Sequence, residues 1–299
     1  MRTDVSVIIL TFNEERNLGH ALTSVCGWAR QVLVLDSFST DRTLEVAARF
    51  DCQCFQHRFT GYAEQRNYAL QMLPITASWI LFLDADEFVP QPLAEEIGRC
   101  LASQPAYDGY FVRRRFFWMG RWIRRGYYRT WLLRLFRRER GRCEQRGVNE
   151  HIVVDGRVGY LRAALIHENH NGLERWIQKH LRYAGLEAAE MAAGHFDLGL
   201  AGQAATKRWL ARYVWRWMPV GWRAVFYFAW RYLLLGGFLD GRQGLSYHLL
   251  QALWFRLVID LKYLELRSAA TTTVAASDGV ADRLPPSEAA GPAAVEVSN

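Results

Sequence analysis

Three carboxylates follow an apolar run in the segment WILFLDADEF, which spans residues 79–88. Residues 79–83 have the composition of a strand that seeks the core, and Asp84, Asp86 and Glu87, the acidic cluster, come directly after them. Like charges repel one another, and a carboxylate removed from water is costly unless a positive group neutralises it. A bound cation is the simplest such group, and two carboxylates suit Mg²⁺ or Mn²⁺, which also bind phosphate oxygens.

Polar residues also follow two other predicted strands. Asn13 and Glu14 come after the strand VSVIILT, residues 5–11, and Asp36 ends the strand QVLVLD, residues 31–36. Because the carboxyl ends of parallel strands share one edge of a sheet, these side chains are expected to meet the acidic cluster. The alternative for the acidic cluster alone is a solvated strand end whose charges start a helix.

The elements that must position these residues alternate between strand and helix in the first part of the chain. This alternation predicts an α/β fold with a doubly wound, mostly parallel sheet. Residues 107–168 have the pattern of further strands, whereas residues 171–193 and 203–266 have that of helices. The predicted organisation is an α/β domain at 1–170, a helical extension rich in Trp and Arg at 171–267, and a disordered tail at 268–299, where Ala, Thr, Ser and Pro dominate.

Charge and cysteine content narrow the class of protein. The 299-residue chain has a formal net charge of +7, which favours anionic partners such as nucleotide phosphates, acidic lipids or nucleic acid. Its five cysteines have irregular spacings that match no zinc site, so we expect free thiols in a reducing cytoplasm. The apolar run near the start is too short for a signal peptide.

Several segments together resemble a known family of enzymes. VSVIILTFNEERNL, VLDSFSTDRT, GYAEQRNYAL and WILFLDADE are similar, in this order, to the inverting glycosyltransferases of family 2, which have the GT-A fold. RRRFFWMGRWIRRGYYRTWLLRLFRR and RGVNEHIVVDGRVGYL resemble a bacterial subgroup that includes the lipopolysaccharide-core β-glucosyltransferases. The resemblance implies a hexose donor such as UDP-glucose, Mg²⁺ or Mn²⁺ as cofactor, and a lipid-linked or lipopolysaccharide-core saccharide as acceptor.

The resemblance also implies roles for individual residues. The matched positions are Thr11, Asn13 and Glu14 at the nucleoside, Asp36 at the base, Arg66 and Asn67 beside the sugar and diphosphate, and Asp84 and Asp86 at the metal. Asp86 is thereby also a catalytic candidate.

The family's catalytic base is an Asp or Glu late in the domain. Glu150 in the segment GVNEH is the nearest match, with His151 as the substitute candidate. The alternative is that Glu150 pairs with a nearby arginine and has a structural role. His167 and His170 are expected to be structural or surface residues, with His167 at the diphosphate or metal as the other interpretation.

Two further stretches are rich in arginine and aromatic residues. Residues 113–146 fit a phosphate-rich acceptor surface, strands with one solvated face, or an RNA-binding surface. Charged residues interrupt the helical extension too often for a membrane span, but Leu250, Leu253, Leu257, Leu261 and Leu264 repeat on one helical face. That face is expected to lie on the cytoplasmic surface of the inner membrane, or else to contact the α/β domain or another subunit.

Two other functions remain open from the residues. A nucleotidyltransferase acting on sugar phosphates also pairs such a sheet with metal carboxylates, but it favours a Gly-rich, basic loop after the first strand. Here that loop, TFNEERNL, is acidic and has no glycine before Gly19. A non-enzymatic nucleic-acid binder is the second alternative, although no nucleic-acid partner is expected.

Overall fold

A computed structural model describes residues 2–102, 105–127, 130–144, 151–193 and 218–281, with the backbone alone for residues 270–281. A large sheet lies at its centre, and a short hairpin is added to it. The strands are β1 (Thr3–Thr11), β2 (Ala29–Asp36), β3 (Gln53–Gln56), β4 (Trp79–Asp84), β5 (Glu87–Phe88), β6 (Gly109–Trp118), β7 (Arg121–Trp122), β8 (Thr130–Arg137), β9 (Gly141–Cys143), β10 (Ile152–Val154) and β11 (Val158–Glu168).

The sheet has the order β3-β2-β1-β4-β8-β6-β11-β5, with β7 paired to β6 at the side, and β9 and β10 form the separate hairpin. Strands β3, β2, β1 and β4 are mutually parallel, and β6 is parallel to β11, whereas β8 runs antiparallel to both of its neighbours. The mostly parallel α/β sheet predicted from the sequence is therefore confirmed.

Helices cover both faces of the parallel strands. The helices of this part are α1 (Leu18–Val25), α2 (Thr43–Ala47), α3 (Tyr62–Met72) and α4 (Gln91–Ala102). Val7 and Ile9 of β1 pack in one core with α1 and α4, whereas Ile8 packs in a second core with α3. Because both faces are buried, the strand is a continuous apolar run and does not alternate with polar residues.

A helical extension follows β11. It consists of α5 (Gly172–Ala192), α6 (Trp222–Ala229), α7 (Gly241–His248) and α8 (Phe255–Ala281), with short helical turns at Trp230–Leu234, Gly237–Asp240 and Leu249–Trp254. Ala184 of α5 packs against Phe255 and Ile259 of α8. Within the described residues, we find no helix that combines the length and the apolar character needed to cross a membrane.

Two expectations for the extension differ from the structure. Helix α8 continues to Ala281 and so includes residues 268–281 of the tail predicted to be disordered, and residues 282–299 lie outside the described ranges. No proline interrupts the Ala-rich stretch, and its one glycine is close to the end, so the helix continues through the β-branched run at residues 271–274. The predicted leucine stripe is divided, because Leu250, Leu253 and Leu257 are half-buried whereas Leu261 and Leu264 are exposed.

Candidate active site

The strand register brings three of the predicted site residues to one edge of the sheet. Thr11 of β1 is the partner of Asp36 on β2, and the preceding Leu10 is the partner of Asp84 on β4. The loops that follow β1, β2 and β4 therefore start side by side. The sequence predicted that the polar residues after these strands would meet at this edge.

Hydrogen bonds lock the first two loops together. The backbone N–H of Asn13 donates to Ser39 Oγ at 2.7 Å, and the Ser39 hydroxyl donates to Asp36. Asn13 Oδ1 in turn accepts from the backbone N–H of Thr40 at 2.7 Å. Asn13 has a φ of 54°, a left-handed conformation that asparagine tolerates better than most residues. Asn13 thus acts as a brace between the loops.

Asp36 is fully buried and held in one orientation. Its carboxylate also accepts from the Ser39 backbone N–H at 2.9 Å and from Gln56 Nε2 at 3.1 Å. A carboxylate offers about four acceptor positions, so these bonds leave one for a further donor. Thr11, also buried, has no hydrogen-bond partner for its Oγ1 among the described residues.

Glu14 ties the first loop to the start of the helical extension. Its Oε2 accepts from Asn17 Nδ2 at 2.5 Å and from Asn171 Nδ2 at 2.9 Å. Burial raises the pKa of the Glu14 carboxyl, and the nearby charge of Asp86 adds to this effect. The structure therefore places Glu14 between two asparagine side chains, at the base of the loop.

Arginines neutralise most of the acidic cluster. Arg134 Nη1 and Nη2 donate to the two oxygens of Asp84 at 3.1 and 2.5 Å, and Arg66 Nη2 lies 3.6 Å from Asp84 Oδ1. Burial alone would raise the pKa of Asp84, but the charges of Arg134 and Arg66 outweigh it and hold the pKa well below its usual range. The fully buried Glu87 lies 3.2 Å from Arg134 and 3.7 Å from Arg114.

This arrangement corrects one step of the sequence argument. The expected neutralising group was a bound cation, whereas Arg134, Arg114 and Arg66 already offset the charges of Asp84 and Glu87. Arg134 occupies one acceptor position on each oxygen of Asp84, so each oxygen keeps a further position, and the role of Asp84 as a metal ligand stays a prediction.

Asp86 has different partners. Its Oδ1 lies 3.3 Å from His167 Nδ1, and its Oδ2 accepts from Asn169 Nδ2 at 3.1 Å. Burial would raise the pKa of Asp86, but the charge of His167 and its hydrogen bond lower it. A carboxylate oxygen suits Mg²⁺ or Mn²⁺, whereas an imidazole nitrogen is a ligand of transition metals and so favours Mn²⁺ of the two. Across the described ranges no three His, Cys, Asp or Glu side chains are arranged as a metal site, so a metal held here takes further ligands from substrate or water.

The remaining predicted residues have distinct placements. Asn67 accepts from the backbone N–H of Cys143 at 3.0 Å and donates to its carbonyl oxygen at 2.9 Å, which fixes helix α3 to strand β9. Glu150 lies outside the described residues, and His151 is exposed at the start of β10. His170 is exposed, and its backbone N–H donates to Asn17.

Sequence reasoning missed Arg134 and Arg114 as partners of the acidic cluster. One signal was available, because Arg134 interrupts the otherwise apolar run of the strand TWLLRLF. It also missed Phe38, which lies two residues after Asp36, has a φ of 61° and is 54% exposed. A bulky residue with a positive φ is a strained outlier, and such strain gathers at functional sites.

Comparison with known proteins identifies the family to which the chain belongs. The glycosyl transferase family 2 model matches residues 6–167. The lipopolysaccharide core biosynthesis glycosyltransferase LpsC of Rhizobium meliloti is 31% identical over 192 residues, which are 62% of this chain and 70% of LpsC. An uncharacterised glycosyltransferase of Rickettsia typhi is 33% identical over 111 residues, 36% of this chain, and the match spans only 37% of that relative.

Solved structures give more distant likenesses. S. aureus TarS 1-349 has a TM-score of 0.43 and 14% identity, covering 89% of this chain and 92% of that one. Glucosyl-3-phosphoglycerate synthase from Mycobacterium tuberculosis, solved with Mn²⁺, UDP and glucosyl-3-phosphoglycerate, has a TM-score of 0.31 and 22% identity, covering 39% of this chain and 44% of that one.

Replacing Arg134 tests the charge balance of the site. Arg134→Gln is expected to lower the free energy of unfolding by about 3 kcal/mol, because it leaves Asp84 and Glu87 without their main counter-charge. Urea denaturation monitored by circular dichroism measures the change. The control is Arg137→Gln, whose partly exposed pair with Asp108 is worth at most about 1 kcal/mol. Equal losses in the two variants would contradict the central role of Arg134.

Proposed function

The chain belongs to glycosyltransferase family 2, and on this premise we propose that it transfers a hexose from UDP-glucose or a similar nucleotide sugar to a lipid-linked or lipopolysaccharide-core saccharide. The single observation that carries this proposal is the convergence of a fixed carboxylate, Asp36, with Arg66 and with the Asp86–His167 pair at one sheet edge. The similarity to LpsC supports the class of acceptor. Family membership argues against both the nucleotidyltransferase and the nucleic-acid binder.

Asp36 is proposed to accept a hydrogen bond from the nucleobase. Its remaining acceptor position suits an N–H donor such as that of uracil, and Ser39 and Gln56 keep it from turning away. Thr11 and Asn13 lie at the adjoining strand end and loop, where the ribose would sit. The fixed carboxylate would thereby favour a nucleobase whose N–H group points at the unfilled acceptor position of Asp36.

The diphosphate is proposed to lie between Arg66 and Asp86. Asp86 and His167 would hold Mg²⁺ or Mn²⁺, which offsets the negative charge that grows on the departing diphosphate. Arg66 adds a positive charge on the side of Asp84. Asp84, bound to Arg134, keeps that arginine in place and serves the site indirectly.

Transfer also needs a base for the acceptor hydroxyl. We assign this role to Glu150, with His151 as the substitute, in the segment that joins β9 to β10. Asn67 supports this segment by holding Cys143. The base takes the hydroxyl proton as the oxygen bonds to the anomeric carbon, while the bond from that carbon to the diphosphate oxygen breaks on the opposite face. The configuration at the anomeric carbon is therefore inverted.

Replacing the proposed metal ligand tests the donor site. Asp86→Ala is expected to weaken UDP binding in the presence of Mn²⁺ by at least about tenfold, while binding without metal changes little. Isothermal titration of UDP with and without Mn²⁺ measures both affinities. Asp155→Ala, at an exposed carboxylate on the hairpin, is the matched control. An unchanged metal-dependent affinity in Asp86→Ala would remove Asp86 from the metal site.

Phe38 offers a test of the nucleoside position. Phe38→Gly is expected not to lower the stability, because glycine adopts a positive φ without strain, yet to weaken UDP binding several-fold by removing an aromatic face for the base. Binding of pyrophosphate should stay the same. Met119→Gly, at another exposed residue with positive φ, controls for the backbone effect. Equal losses for UDP and pyrophosphate would place Phe38 away from the base.

Substitution of the proposed base separates binding from transfer. Glu150→Gln is expected to keep the affinity for UDP and to slow transfer by roughly 10²–10⁴-fold, the usual contribution of a general base. Release of UDP in the presence of an acceptor oligosaccharide measures the rate. His151→Gln is the comparison at the neighbouring residue, and an active Glu150→Gln enzyme with an inactive His151→Gln enzyme would move the role to His151.

A further inference from the structure

Large apolar side chains are exposed along one turn of the helical extension. Residues 230–239, which we call the apolar tip, have the sequence WRYLLLGGFL. Its exposed side chains are Trp230 at 42%, Leu233 at 57%, Leu234 at 71%, Leu235 at 37%, Phe238 at 49% and Leu239 at 52%. A monomeric protein rarely exposes so many adjacent apolar groups without a partner.

Buried polar contacts hold the apolar tip in a fixed shape. Arg231 is 4% exposed, and its Nε donates to the carbonyl oxygen of Gly126 at 2.5 Å. Asp240, also buried, accepts from the backbone N–H groups of Arg124 and Arg125 at 2.9 and 2.8 Å. Hydrogen bonds to residues 124–126 therefore fix the apolar tip near both of its ends, and these bonds hold its apolar side chains in their exposed positions.

The same contacts bring a basic loop beside the tip. The side chains of Arg121, Arg124 and Arg125 are exposed. The Cδ of Arg125 is 3.6 Å from where a Cβ on Gly236 would lie, and Arg121 Nη1 is 3.2 Å from the same position on Gly241. Asp240 is the single acidic residue in the segment 218–259, and it is buried. Positive charge thus borders the apolar tip without an exposed carboxylate in that segment.

We propose that the apolar tip inserts between the headgroups of an anionic phospholipid membrane, with Arg121, Arg124 and Arg125 bound to the lipid phosphates. Apolar side chains with a basic border are the pattern of a surface that lies in the membrane interface. A second copy of the chain fits less well, because contact through two tips would bring two sets of arginines together.

The helical extension connects this surface to the candidate active site. Tyr247 of α7 packs on Phe116 with ring centroids 4.9 Å apart, and Phe116 stacks on His167 with centroids 5.5 Å apart. Docking of the tip would therefore hold the site next to the bilayer, where a lipid-linked acceptor is anchored. This consequence rests on the proposed function, whereas the membrane contact itself does not.

Vesicle binding of the full chain tests the proposal. The protein is mixed with phosphatidylcholine vesicles that contain or lack phosphatidylglycerol, and the bound fraction is measured by sedimentation. The wild type is expected to bind the phosphatidylglycerol vesicles, and the paired variant Leu233→Glu, Leu234→Glu to bind them at least about tenfold more weakly. Arg125→Gln should lower the dependence on phosphatidylglycerol. Leu186→Glu, at an exposed leucine of α5, is the matched control and should bind as the wild type does.

Three outcomes would overturn the membrane assignment. The first is a wild type that binds neither type of vesicle, and the second is an equal loss in the tip variant and in Leu186→Glu. The third is a dimer in sedimentation velocity that the tip variant dissociates while vesicle binding is unchanged, which would make the tip a contact between copies. UDP titration of the same proteins is the separate readout for the proposed function, because failure there leaves the vesicle result standing.

Discussion

The charge pairing at the end of β4 is the constraint on which the site depends. Asp84 and Glu87 lie against buried guanidinium groups from two other strands, Arg134 of β8 and Arg114 of β6. Removing one partner from such a group leaves a buried, unpaired charge, which is far more costly than the pair itself. The antiparallel β8 must therefore lie directly beside β4, because only this position brings Arg134 to Asp84 and Glu87.

A second layer of contacts turns this edge into a fixed platform. Asn13 and Ser39 bind the loops after β1 and β2 to each other, and Glu14 binds the first loop to α5 through Asn171. These side chains form hydrogen bonds mainly with backbone groups and with one another, so several acidic and amide side chains at the edge have a structural role. Asp36, by contrast, keeps one acceptor position unfilled, and Thr11 Oγ1 has no hydrogen-bond partner among the described residues.

The sequence predicted the part of the structure that local pattern controls. Strands β1, β2 and β4 are continuous apolar runs because helices bury both of their faces, and polar residues after each run mark the shared edge. The partners of the acidic cluster depend on long-range register. Leu81 pairs with Leu135, which sets Arg134 one step nearer to Asp84. The local pattern marks Arg134 as a charge within an apolar run, but it does not say which carboxylates that charge meets.

The leucine stripe at residues 250–264 shows a second limit of prediction from the sequence. Helical periodicity identified an apolar face correctly, but periodicity does not say whether that face meets solvent, membrane or another helix. Leu250, Leu253 and Leu257 of this face are half-buried, whereas Leu261 and Leu264 are exposed, and further exposed apolar residues lie in the apolar tip. The apolar character of the tip is plain in the sequence YLLLGGFL, whereas its exposure could be recognised only in three dimensions.

The acidic cluster is already offset by neighbouring basic side chains, so a metal is not needed to neutralise it. Asp84, Asp86 and Glu87 face Arg66, Arg114, Arg134 and the imidazole of His167, so acids and bases nearly balance before any ligand enters. A diphosphate then adds negative charge that these arginines, already paired, offset only in part. Under the proposed function, the divalent ion at Asp86 and His167 accompanies the donor, and its affinity should depend on the nucleotide more than on the protein alone.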